Sequence, residues 1–113
     1  MICYFAHSYG EIIRRAPYDD ITHFKADSKC VTAFTDESEL VLDETLKEIA
    51  DSHPELVMIH RSTLVRLSDI KSVSHTVGKN HCYIAKTTFG KDLRISRRCY
   101  PVIRALVSSR EAA

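Results

Sequence analysis

The sequence predicts a mostly β fold with short helices, a β-rich α+β domain. Three observations predict it. Short apolar or alternating runs broken by turn residues fill the chain from its start to about residue 42. One stretch, from Asp43 to about Ser52, shifts to helical spacing. A final run after Ser96 reads as a second helix.

Taken in order, Ile2 to His7 is apolar and aromatic and reads as a strand, closed by a Ser8-Tyr9-Gly10 turn. Glu11 to Arg15 continues as a second strand, stopped by Pro17 and Asp19-Asp20. From Ile21 to Ala26 the residues alternate, with Ile21, His23 and Lys25 against Thr22, Phe24 and Ala26, as suits a half-buried strand. Asp27-Ser28-Lys29 is a polar turn, Cys30 to Thr35 a β-branched strand, Asp36-Glu37-Ser38 a turn and Glu39 to Leu42 a strand.

Asp43 is the expected helix N-cap, with Glu44 suited to the positive end of the dipole. Leu46, Ile49 and Ala50 share a face, and Lys47 lies four residues after Asp43. Pro54 restricts His53 to extended geometry, so this helix ends near Ser52. Leu56 to Ile59 reads as a buried strand, whereas His60 to Leu67 mixes apolar and basic residues without a clean period. Ser68-Asp69-Ile70 turns into a strand over Lys71–Thr76, and Gly78-Lys79-Asn80 resembles a hairpin tip with His81–Thr87 returning. Phe89-Gly90-Lys91-Asp92 is a turn and Leu93–Ile95 a strand. Ser96 is positioned to cap a helix from Arg97 towards Val107, with Pro101 tolerated near the first turn.

All 113 residues are expected to form one domain, long enough to bury about two-thirds of its unfolded surface without staples. Cys3, Cys30, Cys82 and Cys99 are widely spaced, with no CxxC pair and no export-signal pattern ahead of them. They read as reduced thiols of a cytoplasmic protein. No apolar stretch approaches membrane-spanning length.

Several chemistries lack the residues they need. Cys3 with His7, or His81 with Cys82, would be the nearest metal-ligand pairs, but neighbouring strand residues face opposite sides. There is no nucleophile elbow and no glycine-rich phosphate loop; Gly10, Gly78 and Gly90 all fall at turns. The reading is therefore not an enzyme, with no cofactor and no metal.

The net charge of +1 conceals a segregated distribution. From Asp36 to Glu55 eight carboxylates stand against Lys47 alone, and from Lys86 to Arg110 seven cations stand against Asp92. A fold that separates these segments presents a basic face that concentrates phosphate. Basic residues also sit at element ends: Lys29 at a turn tip, Arg61 just after a strand, and Arg97 with Arg98 where a strand passes into a helix. Guanidinium and ammonium groups so placed can reach phosphates or the guanine edge. Ser96 and the amides of the helix start could hold a phosphate as well. Each cation alone reads as a solvated surface charge, and the functional reading requires that the fold bring them together.

Four blocks then give a specific resemblance. They are the strand–turn–strand from Ile21 to Thr32, Leu42-Asp43-Glu44-Thr45-Leu46-Lys47-Glu48-Ile49, Ile59-His60-Arg61-Ser62-Thr63-Leu64-Val65 followed by Ile70, and Leu93-Arg94-Ile95-Ser96-Arg97-Arg98-Cys99-Tyr100. In this order, over a core of about residues 10–107, they resemble the LytTR DNA-binding domain, in particular its alginate-regulator branch. Arg66 stands where that pattern commonly has Asn.

The resemblance implies an elongated arrangement of small antiparallel sheets that reads DNA grooves with loop side chains rather than with a helix-turn-helix. It implies a bacterial transcription regulator, commonly the output half of a two-component response regulator. Such a domain binds direct-repeat promoter sites, with a second copy on the DNA and a receiver domain, absent from this chain, in the full-length protein. It places the three reading loops at Asp27–Val31 with Lys29, at Arg61 beside Ser62, and at Arg97 and Arg98 after Ser96. His60 is then a support beneath the second loop, Leu46, Ile49, Ile59, Leu64, Ile70 and Tyr100 are core, and Cys30 and Cys99 are inert thiols near the loops. The alternative is a protein-interaction or regulatory module on the same fold without specific DNA binding, using the acidic face over Asp36–Glu55. The near-neutral charge and Arg66 favour that alternative.

Overall fold

The computed structural model describes residues 3–8, 11–27, 30–76 and 82–112. Strand β1 (Cys3–Ser8) pairs antiparallel with β2 (Glu11–Pro17) in a two-stranded ribbon. A five-stranded sheet follows, built from β3 (His23–Asp27), β4 (Cys30–Phe34), β5 (Glu39–Leu42), β6 (Leu56–His60) and β7 (Thr63–Arg66), with helix α1 (Leu46–Ser52) between β5 and β6. Its order is β5-β4-β3-β7-β6 and its pairings are antiparallel. A three-stranded sheet of order β10-β9-β8 contains β8 (Ile70–Thr76), β9 (Cys82–Thr87) and β10 (Asp92–Ile95), and helix α2 (Tyr100–Ala112) closes the chain. The mostly β architecture of small antiparallel sheets is as expected, and its extents of 46 × 35 × 24 Å are elongated.

Strand β7 divides the interior into two cores. The two-residue period of a strand sends neighbouring side chains to opposite faces. Leu64 joins Phe24, Ala33, Leu40, Leu46 and Ile49 in a core with the β1–β2 ribbon and α1, whereas Val65 joins Ile59, Ile70, Ala85, Ile95 and Ile103 against the second sheet and α2. This explains why His60–Leu67 showed no clean period. Thr63, Leu64 and Val65 are all buried because both faces of β7 are covered. The same burial overrides the expected alternation in β3, where His23 and Phe24 are both buried and only the far end, from Lys25 to Asp27, opens to solvent.

Two helix boundaries differ from expectation. The N-cap of α1 is Thr45, not Asp43: the Thr45 hydroxyl accepts from the Glu48 amide at 3.2 Å, and Glu48 Oε1 accepts from the Thr45 amide at 3.1 Å. This reciprocal pair satisfies two otherwise orphaned donors, which Asp43, two residues earlier, could not do. Asp43 and Lys47 are therefore not a helical pair, since the first helical residue is Leu46. Helix α2 begins at Tyr100 after a turn over residues 97–99 and runs beyond Val107. Its last turn is held by Arg110, which donates to the carbonyls of Leu67 at 2.5 Å and Ile70 at 2.6 Å.

The hairpin tip at Gly78-Lys79-Asn80 lies outside the described residues, but β8 and β9 pair antiparallel up to Thr76 and Cys82. Gly90 adopts φ +84° in the β9–β10 turn, a conformation that favours glycine.

Candidate nucleic-acid interface

The adjoining ends of β3 and β4, the β6–β7 turn and the segment from β10 to α2 lie at one end of the five-stranded sheet. Asp27 pairs with Cys30 at the β3–β4 turn, and both are exposed; Lys29 lies outside the described residues. Arg61 and Ser62 form the two-residue connection between His60 and Thr63, which pair across β6 and β7. Ser96, Arg97 and Arg98 lead from β10 into α2.

Two backbone hydrogen bonds tie these turns together. The Ala26 amide donates to the Ser62 carbonyl at 2.8 Å, joining the first turn to the second. The Ser96 amide donates to the Ile59 carbonyl at 2.8 Å, joining the third to the strand beneath the second. The fold thus brings together the described members of the sequence-derived set, Asp27, Arg61, Ser62, Ser96, Arg97 and Arg98.

Among the described residues the side chains divide into supports and exposed groups. His60 Nδ1 accepts from the Ser62 amide at 3.3 Å and lies 3.0 Å from the Ser62 hydroxyl, so the ring braces its own turn and keeps its proton, when neutral, on Nε2. The Ser96 hydroxyl accepts from the Cys99 amide at 3.1 Å, and its carbonyl accepts from Tyr100 at 3.0 Å. Arg61, Arg97 and Arg98 are exposed, so three guanidinium groups project from the second and third turns, while the first carries Asp27. Of the two thiols near these turns, Cys30 is exposed and Cys99 packs against the second core.

Beside the second and third turns is a pocket of about 720 Å³, lined by His60, His75, Tyr83, Arg94, Ile95, Ser96 and Arg97. His75 and Tyr83 stack with centroids 4.2 Å apart, and Tyr100 leans on Tyr83 at 4.3 Å. Neither His75 nor Tyr83 stands out in the sequence, and Arg94 does so only as one cation of the basic run. A signal for Arg94 existed, because Leu93 and Ile95 are the buried partners of an alternating strand and Arg94 is exposed between them. The pocket itself joins residues remote in sequence.

The opposite end of the sheet is acidic. A cleft of about 550 Å³ is lined by Asp19, Asp20, Asp36, Glu37 and Asp69, with Arg15 and Arg66 among its walls. Arg66 is committed to the protein interior. It donates to the Ile21 carbonyl at 2.6 Å and to the Tyr18 carbonyl, pairs with Asp69 at 3.3 Å, and lies 4.1 Å from the Tyr18 ring centroid. The departure from Asn is accommodated as a structural cross-link. Tyr18 in turn stacks on His53 at 3.8 Å, and burial, followed by the Glu55 carboxylate, raises its phenol pKa against the opposing effect of Arg66.

The family described as LytTr DNA-binding domain matches residues 11–108. The chain belongs to that family. It is a family of DNA-binding domains of transcription regulators, not of enzymes. The positive alginate biosynthesis regulatory protein of Pseudomonas aeruginosa is 35% identical over 97 residues, covering 84% of this chain and 39% of that protein. This LytTr domain therefore spans about two-fifths of the length of the curated relative it matches. A solved LytTr DNA-binding domain of a methyl-accepting/DNA response regulator from Bacillus cereus superposes with a TM-score of 0.73, covering 93% of this chain and 95% of that one, at 16% identity. That likeness supports the fold. Among the described residues of this LytTr domain, no helix is long and apolar enough to cross a membrane, and no cluster of three His, Cys, Asp or Glu side chains could hold a metal.

Proposed function

We propose that this LytTr domain is the sequence-specific, double-stranded-DNA-binding output domain of a bacterial cytoplasmic response regulator, reading promoter grooves with its three turns. The observation that carries this reading is the pair of backbone ties, Ala26 to Ser62 and Ser96 to Ile59, which fix the spacing of the turns while Arg61, Arg97 and Arg98 project freely. Arg61 and Arg98 are the base readers, since a guanidinium fork matches the O6/N7 edge of guanine. Arg97, Ser96 and Lys29 contact phosphate, while Asp27 and Ser62 shape the edges of the first two turns. The natural site is a direct repeat occupied by two copies, with a receiver domain in the full-length protein controlling occupancy.

Selection from a random duplex library at near-physiological salt tests this reading, because phosphate-driven binding is salt-dependent. The expected result is a repeated motif, lost in Arg61→Ala and Arg98→Ala proteins that remain folded. Recovery of no motif by the folded domain would instead favour an interaction module that uses the acidic cleft.

A further inference from the structure

The strand register sets one further cation between the first two turns. Lys25 lies on β3, the central strand of the five-stranded sheet, and pairs with Thr32 on one side and Thr63 on the other. Its neighbour Ala26 makes the amide bond to the Ser62 carbonyl at 2.8 Å. Along the strand Lys25 is two residues from Asp27, at the edge of the first turn. Across it, Thr63 is the residue that follows Arg61 and Ser62. The Lys25 Cα is therefore about 5 Å from that of Thr63 and about 7 Å from that of Asp27.

Alternation puts the side chains of Lys25, Asp27, Thr32 and Cys30 on one face of the sheet, opposite the Phe24, Ala33 and Leu64 face of the first core. On β7 that face is closed, with Thr63 and Val65 buried. At the start of β3 it is closed again by Phe89, whose ring lies parallel to that of His23. Lys25 stands where the face opens, and it is exposed together with Asp27 and Cys30. Among the described residues its ammonium has no hydrogen bond and no ion pair, with Asp27 or any other carboxylate. A flexible four-carbon stem, on backbone paired at both sides, thus carries an uncommitted point charge into the space between the two turns.

We infer that Lys25 is a phosphate contact, holding the DNA strand that passes between the first turn and the second. The inference rests on the DNA-binding reading above and adds a residue of the sheet itself to a surface otherwise made of turns. An ammonium suits the role because its three donors need no planar partner. A phosphate contact positions the domain without reading sequence, so its loss weakens all duplexes alike.

The test compares wild type, Lys25→Ala, Lys25→Gln and Lys25→Arg on selected and random duplexes across a salt series, with urea melts on each protein. Lys25→Ala and Lys25→Gln should bind both duplexes about tenfold more weakly, with unchanged melting midpoints. Their slope of log affinity against log salt should fall by about 0.9, the release expected for one phosphate, and Lys25→Arg should keep the wild-type slope. Duplexes carrying a neutral methylphosphonate at successive backbone positions then locate the contact. One position should weaken wild type while leaving Lys25→Ala unaffected.

Unchanged affinity and slope in Lys25→Ala, beside a wild type that selects a repeated motif, would overturn the inference alone. So would a loss confined to the selected motif, which marks a base reader, or a methylphosphonate effect equal in both proteins at every position. A folded wild type that binds no duplex would overturn the DNA-binding reading and the inference together.

Discussion

The two ends of strand β7 use the same side chain in opposite ways. Arg61, in the turn before the strand, is exposed, and its turn is held by the Ala26–Ser62 backbone bond and by the His60 ring. Arg66, at the far end, is largely buried, with its guanidinium on the carbonyls of Tyr18 and Ile21 and on the Asp69 carboxylate. At one end backbone ties hold the turns and leave the side chains in solvent. At the other a side chain holds the backbone, inside an acidic cleft. Residue type alone therefore does not assign a role to an arginine here; the partners available to its five donors do.

Substitutions should separate the two ends. The largest effect expected is on stability, from Arg66→Ala. Removing the guanidinium leaves two carbonyls and the half-buried Asp69 carboxylate short of partners, for a loss of about 3 kcal/mol. Urea melts measure it, and the DNA motif selected by the folded fraction should not change; a shifted motif would break the contrast between the ends.

His23 gives the next effect. Its ring lies parallel to Phe34 at 4.5 Å and to Phe89 at 5.7 Å, and burial, followed by Lys91 and Lys25, lowers its pKa to about 4. The unfolded chain binds that proton near pH 6.5 and the folded one only near pH 4, so stability falls as pH drops through that window. The loss should be about 2 kcal/mol between pH 7 and pH 5. A His23→Phe variant should lack that increment in melts at the two pH values; an identical pH dependence in both proteins would refute the assignment.

Arg61→Ala should reverse the Arg66 pattern. Binding to the selected site falls by about 1–3 kcal/mol with the melting midpoint unchanged. The smallest effect belongs to the acidic cleft. Asp19→Asn with Asp20→Asn should raise affinity for random duplex by less than about twofold at 0.15 M salt. The two ends of β3 are roughly 14 Å apart, beyond the Debye length of about 8 Å. A large increase in this titration would show that the ends communicate.

Much of the fold was legible from punctuation and period. Glu39 to Leu42 alternates and is bounded by turns, and its limits are those of β5. Pro54 ended α1 near Ser52 as expected. Illegible were the segments whose pattern is set by distant partners. Thr63–Arg66 looks aperiodic because two cores claim its two faces, and α2 continues past Val107 because Arg110 finds the carbonyls of Leu67 and Ile70. The misassigned cap has a local cause, since Thr45 and Glu48 are spaced to bond each other while Asp43 only looks the part.

The candidate interface was legible as a set of cations at element ends, but their adjacency was not. It depends on Ala26 meeting Ser62 and Ser96 meeting Ile59, contacts between residues more than thirty positions apart. The Tyr83–His75 stack, which joins two strands, was illegible for the same reason.

The ties between the turns have a consequence for diversification. Both run from a main-chain amide to a main-chain carbonyl, so neither depends on which side chain occupies the position, proline at the two amides excepted. Arg61, Arg97 and Arg98 can therefore be exchanged without altering the distance between one turn and the next. A lineage can drift to new promoters by altering its exposed side chains while the frame that presents them is inherited intact, and an engineer could re-target the domain by the same route.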